Sequence, residues 1–138
     1  MWEKRAVNAI LGLSLTYAYA PALDGTGASG TTLTTGAGAW GAYADLAAAK
    51  AITTEFWCCG MAVYTANGAQ VFHLQLYDAT LTATIASFLL DPTAVTLNAV
   101  PMLLPYPIYR AANTQIQGRG GGAAAKTIVA HLIYAIGL

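Results

Sequence analysis

Val71-Phe72-His73-Leu74-Gln75-Leu76-Tyr77 reads as a β-strand along its whole length. On an extended chain Phe72, Leu74 and Leu76 face one side, while Val71, His73, Gln75 and Tyr77 face the other. That two-residue period marks a strand with one buried face. Just upstream, Ala66-Asn67-Gly68 carries Asn-Gly, the strongest short hairpin signal, between this run and the strand-like run 54–65. Downstream, Leu81, Ala83 and Ile85 alternate with Thr82, Thr84 and Ala86 until Asp91-Pro92 breaks the run.

Working outward, three prolines make 101–107 a poor central strand. Residues 118–122, glycines interrupted by Arg119, read as a turn. The last run, 127–136, is apolar on both faces; its Thr127, Ile128, Val129, Ile133 and Ile136 favour strand over a buried helix. Toward the N-terminus, Leu13, Leu15, Tyr17 and Tyr19 share one face of a first strand, and 24–30 and 36–39 are glycine-rich loops. Residues 43–51 are alanine-rich and offer two turns of helix as a rival to strand. With further short runs at 40–46, 95–100, Ile108 and 114–117, about eight strands are expected. The expected fold is an all-β, antiparallel, jelly-roll-like sandwich: one domain over residues 1–138, with 1–20 forming an N-terminal arm and first strand.

Hydrophobic residues make up 57% of the 138, and charged ones only 9%. A typical soluble domain carries about 25% charged residues, so much of this surface is expected to be covered by neighbouring subunits. The six basic and six acidic residues are scattered and cancel, which argues against a nucleic-acid partner, since phosphates demand a clustered basic face. The run 6–20 is too short and too polar to span a bilayer as a helix, so no membrane partner is expected. Ala18-Tyr19-Ala20 has the small residues of a signal cleavage site, but Pro21 would follow the cut, and the stretch is read as an arm.

The inventory of reactive groups points away from catalysis. Gly120 to Thr127 approaches the phosphate-binding loop pattern, yet Ala125 stands where its second glycine belongs, and no acidic residue follows Asp91 to hold magnesium. His73 and His131 lack further metal ligands at suitable spacing. Ser14, Ser29 and Ser87 lack a nucleophile elbow. Cys58 and Cys59 are adjacent, too strained to pair, and read as two small buried hydrophobes on opposite strand faces. No catalytic residue, cofactor or metal site is expected, and the chain is not expected to be an enzyme.

Aromatic and arginine side chains carry most interface energy, so Trp2, Trp40, Trp57, Tyr106, Tyr109 and Arg119 are the candidate interface residues. Phe56 and Trp57 are neighbours on a strand, so one enters the core and the other faces a second sheet or a partner. Trp2, in an arm with no core of its own, is the candidate intersubunit anchor.

The segments Trp40-Gly41-Ala42-Tyr43-Ala44-Asp45-Leu46, Thr54-Glu55-Phe56-Trp57-Cys58-Cys59-Gly60 and Val71-Phe72-His73-Leu74-Gln75-Leu76 resemble small β-sandwich virion proteins of tailed bacteriophages. The C-terminal layout is similar too: Pro107-Ile108, the segment 112–119 ending at Arg119, a glycine loop, and a final apolar strand. Asn113 stands where such proteins often have glycine. The resemblance covers about residues 40–138. It implies a capsid decoration (cement) protein on the virion surface, commonly a homotrimer, with itself and the major capsid protein as partners. The alternative is a tail or fibre component that binds a host receptor or glycan.

Overall fold

The computed structural model describes residues 16–24, 29–92 and 100–136, and among them there is no helix. The eleven strands are β1 (Thr16–Ala20), β2 (Thr31–Thr34), β3 (Gly36–Ala37), β4 (Ala39–Trp40), β5 (Ala44–Ala47), β6 (Phe56–Ala66), β7 (Phe72–Asp78), β8 (Ala83–Leu90), β9 (Val100–Arg110), β10 (Ile116–Gly122) and β11 (Thr127–Ile136). Trp2, Leu13 and Leu15 lie outside the described residues, as do 25–28 of the first glycine-rich loop and 95–99 of the expected strand before Pro101.

These strands form two sheets. In the first, β1 and β2 both pair along the same edge of β11, followed by β6 and then β9. In the second, β3, β4 and β5 share one edge of β10, followed by β7 and then β8. The eleven strands therefore occupy eight lanes, which is how about eight expected strands become eleven shorter ones. All pairings are antiparallel except that of β3 with β10. The pairs β2·β11, β5·β10, β6·β9 and β7·β8 are nested one inside the next, like a long hairpin rolled onto itself, which is the jelly-roll arrangement.

Nesting corrects the hairpin expected at Asn67-Gly68. Because β6 belongs to the first sheet and β7 to the second, these residues cross from one sheet to the other. Asn67 N donates to Thr127 O at 2.9 Å, fastening the crossover to the start of β11. The tight hairpin is instead 79–82, between β7 and β8, where Asp78 Oδ1 accepts the Leu81 amide at 2.8 Å.

A second correction concerns 118–122. These glycines are not a turn but the interior of β10, flanked on both edges. Gly118 and Gly120 point inward, where Leu33, Thr35 and Leu46 approach closely. A Cβ on Gly120 would stand 2.9 Å from the Thr35 methyl, and one on Gly118 would stand 3.1 Å from Leu46 Cδ1. The turn comes later, at 123–126, and Thr35 ties it down: its hydroxyl donates to Ala124 O and accepts from Lys126 N, each at 2.8 Å. With Thr127 opening β11, the glycine-lysine stretch leads into a strand and not a helix.

The rival helices are also excluded. Residues 44–47 form β5, burying Leu46 and Ala47, and 127–136 form β11. Proline confines β9 to the edge of its sheet. Between the sheets lies one continuous core containing Phe56, Cys58, Met61 and Val63 of β6, Phe72, Leu74 and Leu76 of β7, Ile116 of β10, and Ile128, Ala130 and Leu132 of β11. Phe72, Leu74 and Leu76 are fully buried, as the alternation in 71–77 requires.

Candidate functional site

The side chains that point away from the core define two different surfaces. On the outer face of the first sheet, Cys59, Ala62, Ile133 and Ala135 form a small second cluster, with Tyr19 and Trp57 packed on it. Across this face runs a trough of about 420 Å3, lined by Tyr17, Tyr19, Cys59, Pro101, Leu103, Leu104, Pro107 and Ile133. Among the described residues no charged side chain lines it. Tyr17 and Leu103 are 62% and 63% exposed.

The trough owes its far wall to a bulge. Between the pairs Cys58↔Ile108 and Gly60↔Leu103, β6 advances two residues while β9 advances five. Four residues, Leu104-Pro105-Tyr106-Pro107, thus stand against the single Cys59, a surplus of three, and the prolines cannot donate ladder hydrogen bonds. Tyr106 sits on this bulge and is 69% exposed. Gly60 makes the bulge possible: its φ is +155°, and a Cβ there would collide with Met102 O. Beside the trough, Trp57 meets Tyr109 edge to face at 5.8 Å, and the Tyr109 hydroxyl donates to Glu55 Oε2 at 3.3 Å.

The outer face of the second sheet is different in kind. Arg119 on β10 lies directly opposite Gln75 on β7, so their side chains share this face. The Arg119 guanidinium stands 4.7 Å from the Trp40 ring centre and 4.4 Å from that of Tyr43, and its Nε donates to Gln75 Oε1 at 2.7 Å. Tyr43 stacks on Tyr77 at 4.4 Å, and its hydroxyl also donates to Gln75 Oε1, at 3.3 Å. His73 meets Trp40 edge-on at 6.3 Å. At the end of this face nearer β5, Asp45 Oδ1 accepts Gln115 Nε2 and Gln117 Nε2 at 2.7 and 2.8 Å. A cleft of about 440 Å3 opens beside Trp40.

The expected interface residues are therefore not one patch. Trp57, Tyr106 and Tyr109 belong to the first sheet and its edge, Trp40 and Arg119 to the opposite side of the molecule, and Trp2 lies outside the described residues. Phe56 takes the core side and Trp57 the outer side, as adjacent strand residues must. Tyr17, Tyr43 and Leu103 went unnoticed in the sequence as surface residues. The alternation of 71–77 had already placed His73, Gln75 and Tyr77 on a single outer face; only the register with β10 brings Arg119 to them.

Other sequence candidates sit elsewhere. Cys58 and Cys59 form no disulfide, and both are buried, on opposite faces of β6. His131 is fully buried; its Nδ1–H donates to Pro21 O at 2.7 Å, and its ring meets Tyr19 at 6.4 Å. Among the described residues no group of three or more His, Cys, Asp or Glu is placed to hold a metal ion, and no helix is long and apolar enough to cross a membrane. Comparison with family models, with curated proteins and with solved structures finds no match to this chain.

Proposed function

We propose that this chain is a non-enzymatic structural subunit that assembles with copies of itself through the outer face of its first sheet, in the manner of a capsid decoration protein on a phage virion. The observation that carries the reading is the trough between Tyr17 and Leu103, whose described lining is uncharged and which is bordered by Leu104 and Pro107 of the bulge that carries the exposed Tyr106. An apolar, aromatic-edged face of this sort is costly on a free monomer and suits a protein partner. The low charge of the whole chain points the same way. The β9 edge of this sheet does not offer itself as a pairing site, because Pro101, Pro105 and Pro107 interrupt its donors. A partner seated on the trough would use side chains rather than a backbone ladder.

The role suggested is mechanical. Rigid sandwiches held face to face, and against a capsid lattice through the major capsid protein, would spread load between neighbours. Sedimentation velocity over a wide concentration range tests the assembly step, with a trimer as the expected species. A protein that stays monomeric at every concentration would overturn the reading. Co-sedimentation with capsid shells lacking the protein then tests the decoration role.

A further inference from the structure

We propose that the cleft beside Trp40 on the second sheet binds a single neutral sugar ring of a glycan. The cleft lies on the opposite face from the trough, so this site does not depend on the assembly reading.

Its floor is bare backbone. Gly38 approaches from the segment after β3, and Gly121 and Gly122 from β10, with Gly38 N donating to Gly122 O at 2.7 Å. At the β10 part of this floor there is little room for a side chain: a Cβ on Gly122 would displace the Gln70 amide, and one on Gly121 would stand 3.1 Å from Ala39 O, whereas Gly38 opens to space. The walls are the Trp40 indole, the Val71 side chain and the His73 imidazole. At about 440 Å3 the space is near the small end of ligand pockets, enough for a ring and too small for a folded partner.

The wall chemistry selects the ring. An indole presents the negative face of its quadrupole, which suits the weakly positive C–H face of a pyranose. His73 is exposed and can donate or accept toward hydroxyls. Among the described residues no charged side chain lines the cleft, and the nearby Arg119 is already committed to Trp40, Tyr43 and Gln75, so an anionic ligand finds no cation among them to meet it. An apolar peptide side chain would leave the imidazole unused; the mostly apolar trough on the first sheet serves such a group better. Trp40 is also held in place before any ligand arrives, because Arg119 sits on it and Gln75 fixes Arg119. Binding then carries little ordering cost.

Saturation-transfer NMR with glucose, galactose, mannose, N-acetylglucosamine and, as a peptide surrogate, N-acetyltyrosinamide tests the site. At least one of the four sugars should receive transfer on its ring protons. Val71→Trp, a change at an exposed wall position that fills the cleft, should abolish it. Trp40→Ala should weaken binding at least tenfold, and His73→Ala by roughly three- to tenfold, the value of one hydrogen bond. Tyr106→Ala, on the other sheet, should change nothing. The proposal is overturned if none of the four sugars receives transfer, if transfer survives Val71→Trp, or if only N-acetyltyrosinamide binds.

Discussion

Asp78 and Arg110 meet between the two sheets, one from the end of β7 and the other from the end of β9. Asp78 is fully buried, while Arg110 keeps 15% of its side chain exposed. Their contact is charge to charge without hydrogen-bond alignment, and a second oxygen of Asp78 is occupied by the Leu81 amide. Removing one member of a buried pair leaves the other charge uncompensated and costs about 3–5 kcal/mol. Asp78→Ala should fall toward the lower end, near 3 kcal/mol, because Arg110 can reach water. Urea denaturation of the two proteins measures it. Cys58 lies in the same neighbourhood, and burial pushes its thiol up to about 12, with Arg110 pulling the other way. An acid whose pKa rises on folding lends stability that is whole below its unfolded value and is lost as pH climbs through the folded one. The wild type should therefore lose stability between about pH 9 and 12 more steeply than Cys58→Ala, as thermal melts across that range would show. At neutral pH iodoacetamide should label neither buried cysteine until the protein is unfolded.

Strands β9 and β10 carry the sequence features that were hardest to read. Both look like breaks: one is studded with proline, the other built from glycine. Proline is compatible with an edge strand, because only one side of an edge carries a ladder, and a three-residue surplus lets Pro105 and Pro107 bulge outward. Glycine is required in β10 for the opposite reason, since neighbours press on it from the core. The partner of the β9 bulge is Gly60, where both the positive φ and the approach of Met102 O exclude a side chain. Gly60→Ala should destabilise by roughly 1–3 kcal/mol, the cost of a strained backbone position, whereas Gly38→Ala, which meets no neighbouring atom, should cost only its own φ of +66° and less overall. Comparing their denaturation midpoints decides it. Asn67-Gly68 misled for a related reason: a turn signal says that the chain reverses, not which strand it reverses onto.

The molecule as a whole has two unlike outer faces, one apolar and one aromatic with a buried-in cation. Leu103→Lys places a charge in the trough at a position 63% exposed, so it should abolish self-association while leaving the melting temperature of the monomer within experimental error. Raising sodium chloride should barely change association of the wild type, because among the described residues no charged side chain lines the trough. Analytical ultracentrifugation reads both.

What the chain determined by itself was its strand content and its inside-outside pattern: β-branched and aromatic runs, the period of two in 71–77, and the scarcity of charge are local properties that survive without partners. Which lanes pair, and hence which outward residues meet, belongs to the tertiary structure. Antiparallel pairing brings Arg119 opposite Gln75, and the order of strands in the first sheet sets Tyr17 and Leu103 along one trough; that choice rests on the core packing and close approach of the whole sandwich, which no short stretch of sequence contains.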